Sequence, residues 1–262
     1  MADLKVAIIQ SDLIWENPVE NLKKFNQKID TIKDNPHIIV LPEMFNTGFS
    51  INPQKCAETM QGITMDWLRN KAAERNCIIT GSILIKGESN YNRMVWMRPD
   101  GSFATYDKRH LFRMSDEYKI MDSGDKRTVV EINGWKLNLL VCYDLRFPVW
   151  ARNTYKNGNY EFDVMIYVAN WPSSRSHIWQ TLLRARAIEN QTYVIGVNRV
   201  GNDGFGTPYT GDSMIIDPVG NIVTQLNPNE ETIHTSTMSL KTLLEFRKAF
   251  TLGLDWDEFE LK

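Results

Sequence analysis

The sequence predicts a single α/β domain, and three observations support this fold class. Short runs of aliphatic and β-branched residues alternate with helical patterns along the chain. The length of 262 residues suits one enzyme domain, and the 42% hydrophobic and 24% charged content is that of a soluble globular protein. No linker-like stretch, low-complexity tract or internal repeat divides the sequence, so we expect residues 1–262 to form one domain.

Segments with the composition of strands occur throughout the chain. The first, Leu-Lys-Val-Ala-Ile-Ile-Gln at residues 4–10, is a short apolar run typical of a buried strand. The turn signals Pro99-Asp100-Gly101 and Asp217-Pro218-Val219-Gly220 predict hairpins, which add antiparallel edges to the sheet. The predicted strands are 4–10, 37–41, 77–85, 93–97, 102–106, 135–141, 162–168, 192–198, 213–216 and 222–225.

Other segments have apolar residues at helical spacing. In residues 18–32 the apolar side chains from Val19 to Ile29 share one face, and residues 176–190 show the same pattern. Residues 148–155 begin with a proline, which is typical of the first turn of a helix. The predicted helices are 18–32, 66–75, 148–155, 176–190 and 240–250.

Charge and cysteine content exclude several classes of protein. The 30 Lys and Arg residues nearly balance the 32 Asp and Glu residues, so we expect no nucleic-acid partner. The N-terminal apolar run is too short for a signal peptide and no segment is long enough to span a membrane, which predicts a cytoplasmic protein. The three cysteines cannot form a disulfide framework, and neither a metal-spaced His/Cys cluster nor a phosphate-binding glycine loop is present. We therefore expect no metal or cofactor.

Position distinguishes Cys142 from the other two cysteines. It follows the apolar run 135–141 and precedes a turn, which places its sulfur at a strand-to-helix elbow. Backbone N–H groups at such an elbow would favour a thiolate nucleophile. Cys77 begins an apolar run, and we expect both Cys77 and Cys56 to be core residues.

A thiol nucleophile needs a base and a group that stabilises developing charge. His110 and His177 lie in loop or helix-start contexts, so either could pair with Cys142. Glu43 follows the buried run Ile-Ile-Val-Leu-Pro, where a carboxylate is unexpected without a partner or a chemical role. Lys108 follows the predicted hairpin. The residues alone leave the histidine and glutamate alternatives open.

Glu43, Lys108 and Cys142 together resemble the catalytic triad of the nitrilase superfamily of carbon–nitrogen hydrolases. The resemblance covers nearly the whole chain, and its segments occur in the order of the family. The matching segments are 6–10, 41–45, 107–112, 141–148, 169–172, 184–190 and 211–218. The resemblance implies a four-layer αββα sandwich.

The resemblance also implies a role for each site residue. Cys142 would attack an amide carbonyl, and Glu43 would act as the general base. Lys108 and the backbone N–H of Tyr143 would stabilise the oxyanion, while Glu117 would orient the lysine and the substrate. This chemistry requires no cofactor.

Within the superfamily, the chain looks most like the bacterial omega-amidases, which hydrolyse the terminal amide of 2-oxo acid amides such as 2-oxoglutaramate and 2-oxosuccinamate. The tail departs from that branch at Phe250-Thr251, where proline commonly follows phenylalanine. A substrate carboxylate would need a cation, for which Arg175 is the first candidate and Arg113 the second. Trp171 could form a pocket wall, and Arg146 is expected in a structural ion pair.

Other functions remain open at this stage. A related superfamily member could hydrolyse nitriles or N-carbamoyl compounds, and a nonenzymatic protein could retain only the scaffold. The presence of all three triad residues argues against the last alternative. The resemblance further implies a homodimer, with the helix around residues 185–190 and the C-terminal tail as contact patches.

Overall fold

The computed structural model describes residues 3–260, and these form strands, α-helices and short 3-10 turns. The strands are β1 (Leu4–Gln10), β2 (Ile38–Val40), β3 (Ile78–Lys86), β4 (Asn90–Met97), β5 (Phe103–Asp107), β6 (Val129–Ile132), β7 (Trp135–Val141), β8 (Tyr155–Lys156), β9 (Asn159–Tyr160), β10 (Val164–Ala169), β11 (Tyr193–Asn198), β12 (Val200–Asn202), β13 (Pro208–Thr210), β14 (Met214–Ile216), β15 (Ile222–Gln225) and β16 (Thr232–Met238). The α-helices are α1 (Pro18–Asp30), α2 (Pro53–Cys56), α3 (Ile63–Arg75), α4 (Glu117–Ile120), α5 (Ser176–Asn190) and α6 (Leu240–Ala249).

Two six-stranded sheets form the centre of the molecule. The first has the strand order β16-β1-β2-β3-β4-β5, in which β1, β2 and β3 are parallel and the outer strands are antiparallel. The second has the order β15-β14-β11-β10-β7-β6, with a parallel centre of β7, β10 and β11. The predicted hairpins form β4–β5 and β14–β15.

The sheets pack face to face, and helices cover their outer faces. Val6 and Ile8 of β1 share a buried cluster with Leu137 and Leu139 of β7, which joins the two sheets. The alternate residues of the first sheet pack in a second cluster with the apolar faces of α1 and α3. This arrangement confirms the predicted four-layer sandwich.

The outer face of the second sheet is covered by α5. Gly196 of β11 lacks a side chain where the helix approaches, and a Cβ atom there would collide with Leu183 and Trp179. The helix therefore packs directly against the sheet.

The predicted helix at residues 148–155 is wrong. Residues 148–154 form turns and irregular chain, Tyr155 begins β8, and the helical turn lies earlier, at Cys142–Arg146. Asn153 explains the difference, because its backbone N–H donates to Asn190 Oδ1 at 2.8 Å and its side chain donates to the carbonyl of Phe162 at 2.9 Å. These tertiary hydrogen bonds replace those that a helix would make.

Within residues 3–260, none of the helices is long and apolar enough to cross a membrane.

Candidate active site

The loops that follow four strands meet at one end of the two sheets. Glu43 and Lys108 follow β2 and β5 of the first sheet, while Cys142 and Asn170 follow β7 and β10 of the second. All four line the same pocket. The site is therefore assembled from both sheets. Its polar groups lie at the ends of the strands, outside the hydrophobic core.

Glu43 is completely buried, and both of its carboxylate oxygens are hydrogen-bonded. Oε1 accepts from Asn92 Nδ2 at 2.8 Å and from Lys108 Nζ at 3.0 Å. Oε2 accepts from the backbone N–H of Asn170 at 2.7 Å. The Asn170 side chain also donates to the backbone carbonyl of Glu43 at 2.6 Å. These contacts hold the carboxylate in one orientation at the pocket floor.

Lys108 is buried between two carboxylates. Its Nζ atom lies 3.0 Å from Glu43 and 2.9 Å from Oε1 of Glu117, and it faces the Phe49 ring at 5.2 Å from the centroid. Burial lowers the pKa of Lys108, but the charges of Glu117 and Glu43 outweigh this and leave the pKa above its ordinary value. The ammonium is therefore charged and directed into the pocket region.

Glu117 begins α4 and is fully buried behind Lys108. One carboxylate oxygen accepts the backbone N–H of Phe112, a pocket residue. Burial raises the pKa of Glu117 above its ordinary value; Lys108 opposes this change, and Glu43 adds to it. Glu117 thus connects the lysine to a pocket wall, in agreement with the place predicted for it.

Cys142 begins the 3-10 turn Cys142–Arg146 directly after β7, and its φ of +44° lies in the left-handed region. Such strain in a non-glycine residue is typical of functional sites. The Sγ atom lies 3.9 Å from the backbone carbonyl of Asn170. The N–H of Tyr143, in the first turn, has no acceptor within the helix and belongs to a pocket residue.

Burial and neighbouring charges shift the pKa of Cys142. Burial raises the pKa of the thiol well above its ordinary value; Glu43 raises it further, Lys108 lowers it, and Glu117 raises it. Burial and the two carboxylates therefore oppose the thiolate form that the elbow position favours. The thiol needs a base to become a nucleophile.

The structure does not place a histidine beside Cys142. The Nδ1 atom of His110 is 2.8 Å from Asp144 Oδ1, and its ring stacks on Phe147 at a centroid distance of 3.7 Å. His177 is exposed at the start of α5. Neither lines the pocket, so the geometry favours Glu43 as the base.

The pocket is small and mainly apolar apart from its charged floor. Its cavity volume is about 50 Å³, and one buried water needs at least roughly 10–15 Å³. The lining residues are Glu43, Phe49, Lys108, Phe112, Cys142, Tyr143, Arg146, Asn170, Trp171, Pro172, Arg175 and Tyr209. The space suits a small molecule rather than a polymer.

Two arginines stand in the pocket wall. Arg175 lies over the Phe112 ring at 5.4 Å and Arg146 over the Trp171 ring at 4.9 Å from the centroid. Among residues 3–260, neither forms an ion pair, so the expectation of a structural pair for Arg146 is wrong. Trp171 is buried in the wall, and its indole N–H donates to the carbonyl of Arg175 at 2.8 Å.

Arg113 does not reach the pocket. Its side chain is exposed and lies over Tyr118, at 5.3 Å from the ring centroid, beside a separate surface depression. The preceding residue, Phe112, lines the pocket. Neighbouring residues on this loop face opposite sides, which the sequence pattern did not reveal.

Sequence reasoning also missed several site residues. Asn170 lay in a matching segment but carried no assigned role, although it binds both the side chain and the backbone of Glu43. Tyr209 is buried in the wall, and its hydroxyl donates to Asp203 at 3.0 Å. It lies on the three-residue strand β13, which has no sequence signal. Cys56 and Cys77 are buried away from the pocket, as predicted.

Comparison with known proteins agrees with this geometry. The family model described as carbon–nitrogen hydrolase matches residues 5–248. The chain belongs to the carbon–nitrogen hydrolase family. It is a hydrolase of carbon–nitrogen bonds other than peptide bonds, and the predicted superfamily and fold are confirmed.

Individual carbon–nitrogen hydrolases resemble the chain over its length. An omega-amidase of Escherichia coli strain K12, YafV, is 43% identical over 262 residues, covering 100% of both chains. A 2-oxoglutaramate amidase of Bacillus subtilis strain 168 is 32% identical over 93% of this chain and 94% of its own. The crystal structure of a superfamily member from Xanthomonas campestris, which carries an arsenic adduct in its active site, has a TM-score of 0.98 and 41% identity, with 100% of both chains covered. The predicted resemblance to omega-amidases is thus confirmed.

Proposed function

We propose that the protein hydrolyses the terminal amide of a small 2-oxo acid amide, such as 2-oxoglutaramate or 2-oxosuccinamate, to the acid and ammonia. The observation that carries this proposal is the pocket that contains Glu43, Lys108 and Cys142 together with two arginines that form no ion pair within residues 3–260. The names of the Escherichia coli and Bacillus subtilis relatives support the same substrate class.

The geometry supports a thioester route. Glu43 takes the thiol proton of Cys142 as the sulfur attacks the amide carbon, and a C–S bond forms. The tetrahedral intermediate then collapses, the C–N bond breaks, and Glu43 returns the proton to the departing ammonia. A water, deprotonated by Glu43, attacks the thioester, releases the acid and regenerates the thiol. The raised pKa of Cys142 supports proton transfer to a base during the attack.

Lys108 and Tyr143 stabilise the oxyanion in this proposal. The charged Nζ of Lys108 and the N–H of Tyr143 act where water has been displaced, so their interaction with developing negative charge is strong. Glu117 holds Nζ at 2.9 and 3.0 Å through its two oxygens. It therefore orients the lysine rather than reacting with the substrate.

Arg175 binds the substrate carboxylate, and Arg146 lies on the same wall as a second cation. A carboxylate accepts charge-assisted hydrogen bonds from a guanidinium group, and neither arginine has an acidic partner within residues 3–260 that would compete. Trp171 and Tyr209 enclose the short chain between carboxylate and amide. The substrate is then an amide with an acid at its other end.

One assay tests the proposal. Pure protein is mixed separately with 2-oxoglutaramate, glutamine, an N-carbamoyl amino acid and a simple nitrile, and released ammonia is measured. We expect the fastest turnover with 2-oxoglutaramate. Turnover of only the carbamoyl compound or only the nitrile would replace the omega-amidase assignment with another activity of the superfamily, and turnover of none would rule out the proposed substrate class.

We also propose a homodimer formed through the end of α5 and the C-terminal tail. Ile188 is 48% exposed and Leu254 is 67% exposed, so both patches offer apolar surface to a second copy. Light scattering that gives a monomer mass would contradict this. The cytoplasmic location stays a prediction.

A further inference from the structure

A buried carboxylate outside the proposed catalytic groups contacts the two segments that carry Lys108 and Cys142. Asp144 is completely buried and does not line the pocket. Its Oδ1 atom accepts from the backbone N–H of His110 at 3.0 Å and from His110 Nδ1 at 2.8 Å. Its Oδ2 atom accepts from the Tyr106 hydroxyl at 2.7 Å and from the backbone N–H of Val141 at 3.0 Å. The donors thus come from both sides of Lys108 and from the residue before Cys142.

These donors belong to different sheets. Tyr106 lies in β5 of the first sheet, and Val141 ends β7 of the second. The Tyr106 hydroxyl is itself held, since Trp150 Nε1 donates to it at 2.9 Å. Asp144 therefore joins the two sheets immediately behind the pocket, where the relative position of their strand ends sets the relative position of the catalytic side chains.

The backbone at Cys142 needs such support. A positive φ in a non-glycine residue costs free energy and persists only when the surrounding contacts hold it. Asp144 accepts the N–H of the preceding residue and lies within the same 3-10 turn. We infer that Asp144 is a positioning residue, which holds Cys142 and the segment around Lys108 in the arrangement that the reaction needs. This inference rests on the roles proposed above for Cys142 and Lys108.

The carboxylate form of Asp144 is essential to this arrangement. Both oxygens accept two hydrogen bonds each, and no lysine or arginine within residues 3–260 pairs with this carboxylate. An asparagine has the same shape, but its amide nitrogen would face two donors. Asp144→Asn therefore removes hydrogen bonds to one segment while it leaves the volume of the core unchanged.

The test compares Asp144→Asn with Asp163→Asn as a matched control. Asp163 is also buried and also lies outside the pocket lining. It accepts from Arg247 Nη1 at 2.6 Å and from the N–H of Lys136 at 3.0 Å, and so within residues 3–260 it has no hydrogen bond to the segments around Lys108 and Cys142. Three quantities are measured for each protein: kcat and KM with 2-oxoglutaramate, the rate of Cys142 alkylation by iodoacetamide, and the melting temperature.

We expect Asp144→Asn to lower kcat at least about tenfold with little change in KM, because small displacements of reacting groups reduce rate strongly. We expect slower alkylation of Cys142 as well. The direction of the change in alkylation rate is informative, because loss of a nearby negative charge alone would ease ionisation of the thiol and increase that rate. The control should lower the melting temperature and leave kcat and the alkylation rate near those of the wild type.

Unchanged kcat, or alkylation as fast as in the wild type or faster, would overturn the inference. Should Asp144→Asn not fold, Tyr106→Phe decides by the same measurements, since it removes one donor to Oδ2 and retains the ring. Should the wild type hydrolyse no amide, the proposed function fails, and the alkylation rates alone decide the role of Asp144.

Discussion

The Nζ atom of Lys108 lies 3.0 Å from Oε1 of Glu43, although the two residues are 65 positions apart in the chain. Both side chains are buried, and removal of Lys108 would leave the carboxylates of Glu43 and Glu117 without a cation, which costs about 3–5 kcal/mol, whereas removal of Glu43 leaves Lys108 paired with Glu117. Variants of this pair therefore change stability as well as rate. Isosteric substitutions that leave the protein folded allow the effect on rate to be separated from the effect on stability.

Replacement of the proposed nucleophile should abolish turnover. We expect Cys142→Ala to release no ammonia above background, because no other thiol lines the pocket. Cys77→Ala is the matched control; it should retain activity and lose about 1 kcal/mol of stability. An inactive but folded Cys77→Ala would show that the nucleophile has been assigned to the wrong cysteine.

Replacement of the proposed base by an isosteric side chain should slow the reaction while the volume of the side chain is retained. Glu43→Gln retains an oxygen that can accept from Lys108 or Asn170 but cannot take the thiol proton. We expect kcat to fall by about 10²–10⁴-fold. Glu58→Gln tests a structural carboxylate, which accepts from Thr64, and it should keep kcat. Similar rates for the two variants would exclude Glu43 as the base.

Arginine substitutions should change substrate preference. Arg175→Gln is expected to raise KM for 2-oxoglutaramate by about 10–100-fold, the worth of a charge-assisted hydrogen bond. It should affect an uncharged amide of similar size far less. Arg113 lies outside the pocket, so Arg113→Gln should leave KM unchanged for both the charged and the uncharged amide. Equal losses for charged and neutral amides with Arg175→Gln would contradict a carboxylate-binding role.

The charges around Cys142 predict opposite shifts in its titration. Glu43 raises the pKa of the thiol and Lys108 lowers it. Glu43→Gln should therefore lower the pKa of Cys142, and Lys108→Gln should raise it. The dependence of the alkylation rate on pH gives both values. Shifts in the same direction for the two variants would be inconsistent with the charge arrangement described above.

Cys77 should make stability sensitive to alkaline pH. Burial raises the pKa of its thiol to about 11, from an ordinary value of 9.0. The folded protein keeps this proton where the unfolded chain loses it, so the contribution is complete below pH 9 and is lost as the pH rises to 11. Urea unfolding at about pH 8 and about pH 10.5 should show a decrease roughly 2 kcal/mol larger in the wild type than in Cys77→Ala. Parallel decreases in the two proteins would assign the effect to other groups.

The sequence predicted those parts of the fold in which local pattern and burial agree. The bounds of β1, β7 and α5 match the prediction, because their apolar spacing reports which face is buried. Residues 148–155 failed because Asn153 is held by a distant helix rather than by its neighbours.

The candidate site likewise contains residues that the sequence predicted and residues that it did not. Glu43, Lys108 and Cys142 follow strands that the pattern could identify, and the family resemblance combined them. The positions of Arg146 and Tyr209 depend on how separate loops meet, and no local signal carries that information. The thiol pKa also depends on charges that are remote in sequence, so the elbow position alone does not predict it.

The division of the site between two sheets has a consequence for the unfolding of the protein. In the proposed reaction the acyl group is covalently bound to Cys142 of one sheet, while its carbonyl oxygen accepts a hydrogen bond from Lys108 of the other. A trapped acyl-enzyme would then act as a cross-link through the centre of the protein, and separation of the layers would have to break it. Slow substrates should consequently protect β2, β5, β7 and β10 together from hydrogen exchange, as one cooperative unit.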